Sequence, residues 1–185
     1  MTLSRRRVAR AAGILAAASF AGLRVRPAMA REAEPVGVRR IVLRNLHTPE
    51  SLDIAFRRGA AYVPEALDSI QTLLRDYRTG EQHPIDPLLL DYLYDVAQRA
   101  GVDPVFSVIS GYRSPRTNAM LHERSSGVAS RSLHMEGRAI DVRLAGVDCA
   151  DLADRALGMQ RGGIGYYRKS DFVHLDTGRF RTWRG

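Results

Sequence analysis

Hydrophobic positions along this chain repeat with two periods, and each period predicts its own kind of element. Val63, Ala66, Leu67, Ile70, Leu73, Leu74 and Tyr77 follow helical spacing, with Pro64 near the start and Gly80 beyond the end. That pattern predicts an amphipathic helix with one side turned to a core. Leu89, Leu93, Val96, Ala97 and Ala100 form a second stripe behind Asp86-Pro87, an N-cap and first-turn proline that open a helix running to about Ala100. Ser114-Pro115 opens a short helix toward Ser125. Asp148 opens another, with Leu152, Ala153, Ala156 and Leu157 inward and Asp151 adding first-turn negative charge. Elsewhere the period is that of strands. Arg39 to Leu46 and Leu52 to Phe56 flank the turn-rich His47-Thr48-Pro49-Glu50 as a hairpin. Val105 to Ser110 reads as a buried strand, Ala139 to Arg143 and Phe172 to Asp176 as alternating ones, and Phe180 to Trp183 as a last strand. Ser125 to Ser132, rich in serine and small residues, reads as a loop beside a cleft. There is no internal repeat and no sign of a second folded domain.

Composition changes this picture mainly at the N-terminus. Ser4-Arg5-Arg6-Arg7-Val8 resembles a twin-arginine export signal, Ala11 to Leu23 is an apolar stretch short for a bilayer span, and Ala28-Met29-Ala30 offers a small-residue cleavage site. Residues 1–30 are therefore expected to be a signal peptide and 31–185 the mature domain, with Arg31 to Val36 as a flexible start. The alternative is an uncleaved anchor, against which the shortness of the apolar stretch argues. Charge follows the same division. The leader holds six of the 28 basic residues and none of the 20 acidic ones, which leaves 22 against 20, a net charge of +2 rather than +8. The basic balance is thus poor ground for nucleic-acid binding. Cys149 is the sole cysteine, which excludes an internal disulfide and reads as a small apolar residue at a helix start.

Candidate chemistry concentrates in Ser130 to Arg143 and Asp171 to Asp176. In Ala139 to Arg143, Ile140 and Val142 share one strand face and leave Asp141 on the other. In Phe172 to Asp176, Val173 and Leu175 share one face and leave His174 and Asp176 opposite. If the segments pair, Asp141 and His174 project together, and a turn at Gly137 can fold His134 back to the same point. Two imidazoles and a carboxylate make a three-ligand zinc site with a fourth position open, as catalysis requires. His47, His83 and His122 have no spacing that ties them to this set and read as loop or solvent-facing residues. Gly158 to Gly165 lacks the lysine-serine pattern of a phosphate loop and leads into a strand.

The pattern Ser132-x-His134-x-x-Gly137-x-Ala139-x-Asp141, with a distant histidine, resembles the zinc peptidases that include D-alanyl-D-alanine carboxypeptidases and murein endopeptidases, a superfamily shared with the hedgehog signalling domain. It is most similar to the periplasmic murein endopeptidase K type, through Ser110-Gly111-Tyr112-Arg113-Ser114-Pro115 and Gly163-Ile164-Gly165-Tyr166-Tyr167. The resemblance runs from about Arg39 to Trp183. It implies an α+β fold, a small antiparallel sheet carrying a zinc site and flanked by helices. It also implies His134, Asp141 and His174 as zinc ligands and Arg113 as the group that holds the developing oxyanion. Without the resemblance, Arg113 reads as a surface ion pair. Many relatives carry a glutamate general base three residues before the last histidine, and this chain has Asp171 there. Asp176 is the competing base, or else a partner orienting an imidazole. Ser132 and Tyr166 are further candidates for contact with substrate or ligands; Tyr166 and Tyr167 can line the substrate groove or equally be packed aromatics.

The function this implies is hydrolysis of peptide cross-links in peptidoglycan by a periplasmic zinc peptidase. Its partners are murein stem peptides, with no nucleic acid and no stable membrane insertion after signal cleavage. Three other readings stay open: a D,D-carboxypeptidase trimming terminal D-alanine, a non-catalytic metal-bearing wall-binding module, and a non-haem iron centre built from the same ligand types.

Overall fold

The computed structural model describes residues 37–124 and 128–185; the expected leader and the start of the mature chain lie outside the described residues. Among them, eight strands form one sheet. In chain order the elements are β1 (Val38–Asn45), β2 (Ser51–Arg58), β3 (Ala61–Tyr62), α1 (Pro64–Leu73), α2 (Pro87–Ala100), β4 (Val105–Ser110) and α3 (Pro115–Arg124). A 3-10 turn (Leu133–Glu136), β5 (Ala139–Leu144), α4 (Cys149–Leu157), β6 (Gly163–Tyr167), β7 (Phe172–Asp176) and β8 (Arg181–Arg184) follow. No helix among the described residues is long and apolar enough to cross a membrane.

The α+β class holds, but the sheet is neither small nor purely antiparallel. Its order is β3-β2-β1-β4-β5-β7-β6-β8, and the β1/β4 and β6/β8 pairs are parallel. The first arises because the chain crosses over through α1 and α2 between β1 and β4, which is the kind of connection parallel pairing requires. The second arises because β7 runs back along β6 before β8 adds to the other edge of β6.

Strand alternation decides what each face does. Ile41, Leu43, Phe106, Val108, Ile140, Val142, Val173 and Leu175 are buried against Ile70 of α1, Leu89, Leu93 and Val96 of α2, and Leu152 and Ala156 of α4. Burying each such leucine or isoleucine side chain contributes about 1.5–3 kcal/mol relative to leaving it in water. The side chains between them on β5 and β7 belong to the other face, which carries the chemistry.

Helix ends follow their capping residues. Asp86 accepts the Leu88 N–H, and Gly101 closes α2 in the left-handed region; Asp148 accepts the Asp151 N–H at the start of α4. Helix α1 is shorter than its periodicity predicts, ending at Leu73. Beyond it the Leu74 carbonyl accepts the Tyr112 N–H at 2.8 Å, and Asp76 accepts the N–H groups of Arg78 and Ser114. The end of α1 is thereby tied to the segment after β4, and Tyr77 stacks on His47 rather than continuing the helical stripe.

Gly137 ends the 3-10 turn with φ +64°. A Cβ there would lie 2.0 Å from the Pro84 carbonyl oxygen. Gly137→Ala is expected to destabilise the fold by about 3 kcal/mol, combining left-handed strain of about 1–2 kcal/mol with a forced backbone shift of about 1–3 kcal/mol. Urea denaturation measures this, and an unchanged midpoint would contradict it.

Candidate metal centre

Three elements aim one side chain each at a common point. Ser132 caps the 3-10 turn by accepting the His134 N–H at 3.4 Å, so His134 leaves the turn fixed at its base. Asp141 lies in the middle of β5, and the β5/β7 register sets it directly opposite His174. His134 Nε2 is 3.2 Å from Asp141 Oδ1 and 3.2 Å from His174 Nδ1, and His174 Nδ1 is 2.9 Å from Asp141 Oδ1. Tetrahedral donors bonded to one cation at about 2.0–2.1 Å stand about 3.3 Å apart. The observed spacing fits that size.

The outer contacts of the two imidazoles make the case sharper. His134 Nδ1 is 2.7 Å from the Gly111 carbonyl oxygen, which accepts but cannot donate, so this nitrogen carries the proton. His174 Nε2 is 3.0 Å from Asp176 Oδ2, and the same logic protonates Nε2. The remaining ring nitrogens therefore present bare lone pairs to each other and to a carboxylate oxygen, an arrangement that repels itself unless a cation or a shared proton sits at the centre.

Electrostatics agree. Burial and the nearby Arg113 lower the pKa of His134 despite Asp141, keeping the imidazole neutral. Burial pulls His174 the same way, yet hydrogen bonds to Asp141 and Asp176 outweigh it and raise its pKa, a sign of anionic surroundings that attract positive charge. Burial alone would raise Asp141; His134 and His174 overcome it and hold the carboxyl well below the usual range.

Arg113 and Asp176 stand behind these three side chains. Arg113 is buried; its Nη2 donates to Asp141 Oδ2 and to Ser110 Oγ, each at 3.2 Å, and its Nε has no partner among the described residues. Asp176 is fully buried. Its two oxygens accept from His174 Nε2, the Gly163 and Gly178 N–H groups at 2.8 Å, and both ends of the Arg181 guanidinium. Burial opposes ionisation of Asp176, but His174, Arg181 and the two backbone donors hold its pKa far below normal. Asp176 is thus bonded to the far side of His174 and faces away from open space.

An open cavity of about 450 Å³ adjoins the triad, lined in part by Arg113, Arg131, Ser132, Tyr167, Phe172 and Trp183. Asp171 does not line it, although Ser170 and Phe172 on either side do. Three residues along the chain from His174, it has φ +52°. Its carboxylate pairs with Arg143 Nε at 3.2 Å and accepts from the Cys149 thiol, which burial and then this bond push up to about 12. Tyr166 also turns away: it packs against the core, and Tyr167 occupies the cavity wall instead.

Residues 33–183 match a family described as Peptidoglycan L,D-endopeptidase MepK. The chain belongs to that family. A Peptidoglycan L,D-endopeptidase MepK of Escherichia coli is 43% identical over 143 residues, 77% of this chain and 79% of that protein. A Probable peptidoglycan L,D-endopeptidase MepK of Haemophilus influenzae is 40% identical over 146 residues, 78% of each. No solved structure matches. The cavity of this MepK-family chain also holds Phe172, Trp183 and Arg131, to which the motifs assign no role, and Tyr167, for which they leave groove lining and core packing equally open. A signal for Tyr167 was present, because Gly163, Gly165 and Tyr167 alternate with Ile164 and Tyr166. Only the pairing of Gly165 with His174 says which set faces the metal centre.

Proposed function

We propose that this protein is a zinc-dependent endopeptidase that hydrolyses peptide cross-links of peptidoglycan, of the L,D type named for its relatives. The observation that carries the reading is the convergence of two imidazole nitrogens and one carboxylate oxygen beside an open cavity. His134, Asp141 and His174 would hold the ion, which when bound supplies Lewis acidity toward an amide carbonyl and toward water. The chain's own residues do the rest. The Gly111 carbonyl and Asp176 fix the tautomers of the two histidines, and Arg113 holds Asp141 in place through its Oδ2. Arg113 also sets a positive charge beside the carbonyl oxygen as it becomes an oxyanion. Residues 1–30 act as a twin-arginine signal that delivers the mature domain to the periplasm, where the substrate is.

Asp171 serves in this reading as an anchor of the β6–β7 hairpin through Arg143 and Cys149, not as the general base. Asp171→Asn is accordingly expected to keep kcat/KM within about threefold of wild type, whereas loss of a true base lowers turnover by about a hundredfold or more. Steady-state kinetics on a cross-linked muropeptide dimer discriminate the two.

Digestion of purified sacculi with and without a chelator, followed by fragment analysis, tests the function. Conversion of L,D cross-linked dimers to monomers, abolished by chelator and restored by zinc, is the expected result. Release of terminal D-alanine alone would make the protein a carboxypeptidase. Stoichiometric zinc with no cleavage would favour the metal-bearing binding module, a reading that gains from Asp171 and Asp176 both lying off the cavity wall. Metal analysis of the purified protein separates zinc from iron.

A further inference from the structure

Tyr167 is held more firmly than a wall residue needs to be. Its ring stacks on Phe172 with centroids 4.5 Å apart and planes 16° apart. Its hydroxyl oxygen receives the indole N–H of Trp183 at 3.0 Å. Trp183 in turn lies against His174, with ring centroids 5.1 Å apart, and covers Gly165, where a Cβ would come within 2.5 Å of the indole. One aromatic unit therefore links the hydroxyl to a residue of the metal centre.

The direction of that hydrogen bond matters. An indole nitrogen can only donate, so the Tyr167 oxygen is the acceptor and its own O–H proton points elsewhere. No acceptor among the described residues receives it, and the ring lines the same cavity as His134, Asp141 and His174. Arg113, another donor lining the cavity, bonds Asp141 and Ser110 through its Nη2. A fixed neutral donor with a free proton, beside a metal centre and open to the cavity, is the arrangement that stabilises charge developing on a substrate oxygen.

We propose that Tyr167 is a catalytic residue whose hydroxyl donates a hydrogen bond to the oxygen of the scissile carbonyl as that oxygen gains negative charge, with Trp183 aiming it. The inference rests on the metallopeptidase reading above. Its test compares the zinc-loaded full chain with its Tyr167→Phe variant on a cross-linked muropeptide dimer. Three quantities are read: kcat and KM separately, bound zinc, and the affinity for a phosphinate analogue with phosphorus in place of the scissile carbonyl carbon.

The expected result is a fall in kcat of about a hundredfold, KM within about threefold, unchanged zinc content and a parallel loss of phosphinate affinity. Trp183→Phe, which keeps a ring on Gly165 without the N–H, is expected to lower kcat in the same direction by about tenfold. Unchanged kcat in Tyr167→Phe, a loss confined to KM, or loss of zinc along with activity would each overturn the proposal while leaving the hydrolase intact. Wild-type protein that cleaves no dimer would overturn the metallopeptidase reading and this inference with it.

Discussion

Replacing His134 by alanine, or Asp141 by asparagine, is expected to remove bound metal and hydrolysis together, with activity falling at least about a thousandfold. That size follows from losing several kcal/mol of Lewis-acid stabilisation at about 1.4 kcal/mol per factor of ten. The choice of substitution matters. Asp141→Ala would leave the buried Arg113 guanidinium facing nothing on that side, at a cost of about 3–5 kcal/mol. Lost folding would then be confused with lost metal. Asparagine keeps an oxygen for Arg113 and removes the charge. In His134→Ala the Gly111 carbonyl loses its partner, a smaller cost of about 1–3 kcal/mol. A binding measurement complements the kinetics. Zinc raises the melting temperature of a protein that binds it only when folded, so titration should stabilise the wild type and leave both variants unmoved. Variants that keep stoichiometric zinc would remove these residues from the ligand set.

Asp176→Asn carries the second largest effect, because one buried carboxylate serves two systems. Its oxygens accept five hydrogen bonds, from His174, Gly163, Gly178 and twice from Arg181. An amide offers one oxygen and turns an NH2 group toward donors at the other position. Either His174 loses its acceptor or the backbone around Gly163 and Gly178 does, at about 1–3 kcal/mol for each buried group left unpaired. The expected outcome is a melting temperature lowered by several degrees and a loss of about 10–100-fold in zinc affinity. Acid should narrow the difference. The folded-state pKa of Asp176 is depressed, so its stabilisation is fully present above the unfolded carboxylate value of about 4 and is lost as pH falls through the folded value. The gap between wild type and variant should therefore be widest near neutral pH and shrink below about pH 4. A gap independent of pH would mean that Asp176 is not the ionised partner of His174 and Arg181.

Much of the fold was legible because its signals are local. Asp86-Pro87 and Gly101 bracket α2 as their capping chemistry requires, and Asp148 does the same for the start of α4. The alternation of Ile140 and Val142 around Asp141, and of Val173 and Leu175 around His174, was enough to put the two polar residues on one face once the strands paired. Local signals failed where a distant segment decided the outcome. Helix α1 stops short of Tyr77 because Leu74 and Asp76 bond to residues beyond β4, and no residue near Leu73 announces that.

By itself the sequence determined the element types, the caps, the donor types that meet at His134, Asp141 and His174, and the family, since each depends on residue identity or short-range spacing. Tertiary structure alone decided which neighbours reach the cavity: Tyr167 and not Tyr166, Asp176 behind His174, and Asp171 turned to Arg143 and Cys149. It also decided the two parallel strand pairs. The physical reason is the same in each case. A strand's period of two divides its side chains into two sets, but which set meets the metal centre is fixed by register with strands far away in the chain.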